Sequence, residues 1–205
     1  IVSATAGNTS VSVTFAEPDD AGDSPIASYR VTCGAAGNTV AASPAVVAGL
    51  TNGVAVTCTV IATNAAGDSA ASAPSASVTP ATVPSAPTGV ALVPGDRQIS
   101  VAFAPGGNGG SAILDYTAQC GTASRTASGS PIVVGGLANG TSATCRVTAR
   151  NAIGRSAQSS PATATPAGVP AAPTGVTAVR GDARATVSFT PGSNGGDPAT
   201  SYTAR

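Results

Sequence analysis

The sequence predicts an all-β protein: tandem seven-stranded antiparallel β-sandwiches. Three observations carry the prediction. Apolar and polar residues alternate at period two. Turn residues break these runs at roughly 8–12-residue intervals. The pattern then recurs after about 87 residues.

In the first repeat the strands fall near 2–5, 9–16, 27–33, 38–42, 45–49, 54–63 and 70–79. Val11-Ser12-Val13-Thr14-Phe15 places two valines and a phenylalanine on one face. Tyr29, Val31 and Cys33 alternate in the same way, as do Val56, Cys58, Val60 and Ala62. Ile99, Val101 and Phe103 repeat the first of these strands, and so do Ala185, Val187 and Phe189. Polar residues between inward ones mark half-buried antiparallel strands. Gly7-Asn8, Gly95-Asp96, Gly181-Asp182, Asn52-Gly53 and Asn139-Gly140 supply the turns. Alanine is abundant, but there are only four Leu, one Glu and no Lys or Met, so few other strong helix formers support a helix.

Four landmarks keep the period. The only phenylalanines are Phe15, Phe103 and Phe189, and the only tyrosines are Tyr29, Tyr116 and Tyr202. Cys33 and Cys120 are 87 residues apart, as are Cys58 and Cys145. That length suits a complete small domain and is too long for a solenoid unit. Thr79-Pro80-Ala81-Thr82-Val83-Pro84-Ser85-Ala86-Pro87 and its counterpart from Thr165 to Pro173 read as extended, semi-rigid connectors. The divisions are therefore 1–80 for repeat 1, 81–166 for repeat 2 with its Pro-rich lead-in, and 167–205 for a linker and the first three strands of a truncated repeat 3. The next cysteine of the period would fall one residue past Arg205, so the chain reads as a window on a longer protein or as one whose ends are completed by neighbouring chains.

Composition excludes several chemistries. With no His there is neither a Ser-His-Asp triad nor a Cys-His pair. With no Lys there is no Schiff-base nucleophile and no phosphate-loop lysine. Nine basic and nine acidic residues balance to zero charge, which suggests neither nucleic acid nor an anionic membrane as partner. No apolar run is long enough to span a bilayer. The expectation is no enzyme, no cofactor, no metal and no catalytic residue.

Ala86-Pro87-Thr88-Gly89-Val90, Phe103-Ala104-Pro105, the strand with Tyr116, Ala118 and Cys120, the corner Gly136-Leu137-Ala138-Asn139-Gly140-Thr141, and the run Val147 to Gly154 together resemble a fibronectin type III repeat of the secreted bacterial kind. Phe stands in place of that family's usual Trp, and its corner tyrosine is replaced by Val56 and Ala143. The resemblance implies an immunoglobulin-like sandwich. It places Cys33 and Cys58 on neighbouring strands of one sheet, both facing inward, and likewise Cys120 and Cys145. Two disulfides then follow, with free buried thiols as the other reading. Disulfides imply an extracellular or cell-surface location.

The loops hold weaker candidates. Arg180-Gly181-Asp182 spells an adhesion tripeptide, but a Gly-Asx turn explains it as well. Glu17, Asp19, Asp20 and Asp23 offer oxygen ligands in one loop, where a solvated loop is the plainer reading. Asn8 and Asn139 head glycosylation sequons. The function expected is a rod-forming structural module of a large secreted or surface protein: a fibre, sheath, stalk or adhesin shaft. Its partners would be copies of itself or neighbouring repeats. A non-catalytic spacer in a polysaccharide-degrading enzyme is the alternative. Carbohydrate binding is disfavoured, because the three tyrosines are placed inside and no other rings are free for stacking.

Overall fold

The computed structural model describes residues 1–205 as strands and loops, with no helix. The first repeat contains β1 (Ser3–Gly7), β2 (Ser10–Thr14), β3 (Ser28–Cys33), β4 (Ala36–Val40), β5 (Ala45–Ala48), β6 (Cys58–Asn64) and β7 (Gly67–Asp68). They form two sheets, ordered β1-β2-β5 and β4-β3-β6-β7. The second contains β8 (Thr88–Gly95), β9 (Gln98–Ala104), β10 (Ile113–Cys120), β11 (Ala123–Ala127), β12 (Ile132–Gly135), β13 (Ala143–Asn151) and β14 (Ala162–Ala164). Its sheets are ordered β12-β9-β8 and β11-β10-β13-β14. Each repeat is thus a seven-stranded antiparallel sandwich of the fibronectin type III and immunoglobulin-like class, with one disulfide.

Strand alternation builds the core as the side-chain period requires. Val11, Val13 and Phe15 from one sheet meet Tyr29, Val31, Cys33, Cys58 and Val60 from the other, all buried. Ile99, Val101, Phe103, Tyr116, Ala118, Cys120, Cys145 and Val147 repeat the arrangement. The two rings pair across the sheets: Phe15 and Tyr29 have centroids 4.9 Å apart, and Phe103 and Tyr116 5.0 Å. Such tilted pairs add about 0.5–1.5 kcal/mol beyond area burial.

The expected seventh strand at 70–79 differs in form. Only Gly67–Asp68 is a strand there, and Val78 makes an isolated bridge to Val56. Between them the chain touches β6 once every three residues, through serine. Ser69, Ser72 and Ser75 donate their amides to the carbonyls of Ala62, Val60 and Cys58 at 2.8, 2.9 and 2.9 Å. Their hydroxyls accept the amides of the same three residues, each at 3.0 Å. Each hydroxyl also donates to the following residue's carbonyl. The hydroxyl replaces the carbonyl that a regular strand would present, and a period of three matches extended, polyproline-like backbone. Repeat 2 keeps this at Ser159, which exchanges the same two bonds with Val147 at 2.9 Å each. Where Ser75 gives way to Ala162, the hydroxyl is missing and ordinary pairing resumes, Cys145 opposite Ala162.

Of repeat 3, β15 (Thr174–Gly181) and β16 (Arg184–Thr190) pair as a hairpin. The expected third strand is not formed: residues 198–205 belong to no strand. In the complete repeats that strand lies against β6 or β13, and residues 167–205 contain no counterpart of these. Phe189 and Tyr202 still stack at 4.9 Å but are 36% and 48% exposed, so the third tyrosine is not placed inside as the alternation suggested.

Contacts divide the chain into two compact units. One is Ile1–Ser85 with Gly107–Leu114 and Arg150–Ser156. The other is Ala86–Gly106 with Asp115–Ala149 and Ala157–Arg205.

Candidate functional site

The four cysteines lie fully buried within the sandwiches. Cys33 ends β3 and Cys58 begins β6, and antiparallel register sets them directly opposite one another. Their sulfurs are bonded, with Cα atoms 4.2 Å apart. Cys120 and Cys145, on the neighbouring strands β10 and β13, are bonded likewise with Cα atoms 4.0 Å apart. No free cysteine remains, and all four are fully buried. Each bond ties strands within one sheet and closes a 25-residue separation. The arrangement holds a fold together and offers no thiolate for chemistry.

A second recurring feature escaped the sequence reading. The turns between β1 and β2, between β8 and β9, and between β15 and β16 each contain one non-glycine residue with left-handed backbone: Thr9 (φ 49°), Arg97 (φ 55°) and Ala183 (φ 50°). The glycine and Asx residues that signalled these turns precede them, so the strained position is one residue later than the signal. In the complete repeats an asparagine from the corner before β6 or β13 holds the turn. Asn52 Oδ1 accepts the Thr9 amide and its Nδ2 donates to Asn8 Oδ1, both at 2.8 Å. Asn139 accepts the Arg97 amide and donates to Asp96 Oδ1, both at 2.7 Å. The amide of the Asn139 sequon is therefore engaged in structure. Arg180 and Gly181 lie on β15, and Asp182 lies in the hairpin turn, in the same conformational setting as the other two repeats.

The acidic loop does not assemble into a site. No three His, Cys, Asp or Glu residues gather as metal ligands. Asp20 Oδ1 accepts the Gly22 amide at 2.8 Å, an Asx turn. Asp68 pairs with Arg30 at 2.9 Å, both side chains about half exposed, a contact worth about 1 kcal/mol at most. A groove of about 610 Å³ is lined by Phe15, Ile26, Tyr29, Asn64 and Gly67 among others. Burial raises the Tyr29 hydroxyl pKa above 10.0, and the charge of Glu17 adds to the effect.

The two sandwiches define a tandem β-sandwich protein of the fibronectin type III and immunoglobulin-like class. Residues 1–78 match the family described as "Fibronectin type III domain". No curated protein matches the chain. Among solved structures it is similar to domains A168-A170 from titin, at 19% identity and TM-score 0.48, covering 78% of this chain and 60% of that one. It is also similar to the chicken CNTN1 FN1-FN3 domains, at 18% identity and TM-score 0.41, covering 90% and 71%. A third is titin kinase and its flanking domains, at 28% identity and TM-score 0.37, covering 42% and 18%. The chain thus spans 60% of the first titin structure's length. The sequence resemblance to repeats of the secreted bacterial kind is corrected here: titin and chicken CNTN1 are vertebrate proteins, and the bacterial attribution is withdrawn.

Proposed function

We propose that the chain is a structural, rod-forming module of a large extracellular or cell-surface protein, of the fibre, sheath, stalk or adhesin-shaft type. Its neighbours would be further repeats of the same chain or copies of it. The divisions 1–80, 81–166 and 167–205 are the repeat boundaries this reading uses. The observation that carries it is the recurrence of one disulfide-closed sandwich whose central residues are spent on packing and cross-linking. Paired sulfurs belong to an oxidising compartment, which supports the location. No helix is long and apolar enough to cross a membrane.

The mechanical form of the proposal is specific. Under load a repeat opens only outside its disulfide, and the segment between Cys33 and Cys58 stays closed. Reduction then adds about 25 residues at about 3.6 Å each, roughly 90 Å per unfolding event. Single-molecule pulling with and without reductant measures this. To test the function itself, antibodies to these repeats would be used to image the parent protein in its native setting. Labelling along filaments, sheaths or surface stalks is the expected result. Labelling of dispersed, freely diffusing molecules would overturn the proposal.

A further inference from the structure

The loop that follows the second strand is Gly106-Gly107-Asn108-Gly109-Gly110 in repeat 2 and Gly192-Ser193-Asn194-Gly195-Gly196 in repeat 3. In each case it lies against the Pro-rich segment and the Asn-Gly corner that precede it in the chain. The first instance falls within the first compact unit and the second within the other.

The bonds are the same in both. Thr82 donates its amide to the Gly109 carbonyl at 2.8 Å, and Ser85 to that of Gly107 at 2.9 Å. Gly168 donates to Gly195 and Ala171 to Ser193, both at 2.8 Å. The corner is tied to the same linker: Gly53 donates to Pro80 and Gly140 to Pro166, both at 2.8 Å. In the first unit Asn151 adds its side-chain amide, donating to Thr82 at 2.8 Å and to Asn108 at 2.9 Å.

Glycine is a steric requirement at two positions of this loop. A β-carbon on Gly109 would lie 2.7 Å from the Val83 carbonyl oxygen and closer still to that of Thr82. On Gly195 it would lie 2.7 Å from the Val169 oxygen and closer still to that of Gly168. On Gly110 it would lie 2.7 Å from the Asn52 carbonyl carbon, and on Gly196 2.8 Å from that of Asn139. The obstructing atoms are backbone, which cannot swing aside as a side chain can. All four glycines also have positive φ.

Repeat 1 gives an internal comparison. Its loop places Gly22 at the position of Gly109, with φ 70° against 69°. A β-carbon on Gly22 meets nothing nearer than Asn64 Nδ2 at 3.5 Å. At the next position, where repeats 2 and 3 have glycine, it has Asp23. The left-handed turn is thus common to the three loops, whereas the steric demand belongs to the two that face a corner.

We propose that the Asn-Gly corner and Pro-rich linker of a repeat form a docking surface whose partner is the Asn-Gly-Gly loop of the following repeat. The paired glycines are the local code that admits a repeat to this position. A loop of the repeat 1 type, with Asp in place of the second glycine, is refused. The inference concerns how successive repeats join and holds whatever larger assembly they serve.

Amide hydrogen exchange on the full 205-residue chain tests this, read at Thr82, Ser85, Gly168 and Ala171. All four amides are expected to be protected in the unaltered protein. In Gly109→Ala/Gly110→Ala, and in Gly110→Asp alone, Thr82 and Ser85 should exchange at least about tenfold faster. Val101, Val147, Gly168 and Ala171 should keep their protection. Gly22→Ala imposes the same backbone strain without the obstruction, and should leave all four linker amides unchanged. Free exchange of these amides in the unaltered protein would overturn the proposal, whether or not the variants fold. So would undiminished protection of Thr82 and Ser85 in a folded Gly109→Ala/Gly110→Ala variant.

Discussion

Opening the Cys33–Cys58 bond isolates the contribution of the covalent clamp in one repeat while leaving the other as an internal reference. The bond closes a separation of 25 residues. The loop-closure relation then gives about −12 cal/mol/K for the entropy removed from the unfolded chain, or about 3.5 kcal/mol near room temperature. For a domain of this size, with a slope of about 1 kcal/mol/M in urea, that corresponds to a midpoint lower by about 3.5 M. The core gives little to offset such a loss, since its large members are valines, Leu50 and one ring pair. The assay is urea unfolding of Cys33→Ala/Cys58→Ala. NMR peaks of Val31 and Val60 report repeat 1, and those of Val101 and Val147 report repeat 2. Only the first pair should shift. Reducing the unaltered protein opens no cavity and should lower both transitions by similar amounts. A shift below about 0.5 M in both experiments would refute the entropic argument and place the stability in packing alone.

Three further outcomes follow from particular contacts. Ser72→Ala leaves the buried Val60 amide without its hydroxyl acceptor and should cost about 1–2 kcal/mol in chemical unfolding. Ser75→Ala should cost less, because Ala162 shows that regular pairing can take over there. Asn52→Ala removes both side-chain bonds that hold the left-handed Thr9 turn, with an expected loss of about 1–2 kcal/mol, and Asn52→Asp should recover part of it through the Thr9 amide. Tyr29 has a folded pKa raised above its unfolded value, chiefly by burial and then by Glu17. The neutral phenol is therefore the form that folding favours. Its stabilising contribution is full below about pH 10 and is lost as pH rises through the folded value. Absorbance titration should show a late phenolate step that is absent in Tyr29→Phe.

Much of the fold was legible because a sandwich strand has a single sharp signature, alternation at period two. The inward sets at Val11, Val13, Phe15 and at Tyr29, Val31, Cys33 are buried as that alternation requires. The cysteine pairs were legible through the same rule, joined to the family resemblance that puts their strands side by side. The seventh strand was misread because Ser69, Ser72 and Ser75 obey a period of three, which no strand or helix template contains. Their role depends on a hydroxyl substituting for a carbonyl, visible only once β6 is in place. Gly-Asx signals the turns, whereas the left-handed residue that follows is Thr9, Arg97 or Ala183. That conformation is held from outside by Asn52 and Asn139, some 42 or 43 residues away. The role of the glycine loops is not legible in the sequence, since a close backbone approach leaves no trace there except the glycine itself.

The central claim is that each repeat is closed on itself by its own cysteine pair. Non-reducing proteolysis followed by mass analysis tests this most directly. Cleavage at arginine separates the segment carrying Cys120 from that carrying Cys145, because Arg125 lies between them. The account predicts that these two peptides are recovered joined, that no thiol reacts with alkylating agent before reduction, and that the intact chain gains four hydrogens on reduction. Alkylated cysteines in the unreduced protein, or a bond linking Cys33 or Cys58 to either cysteine of the second repeat, would contradict it.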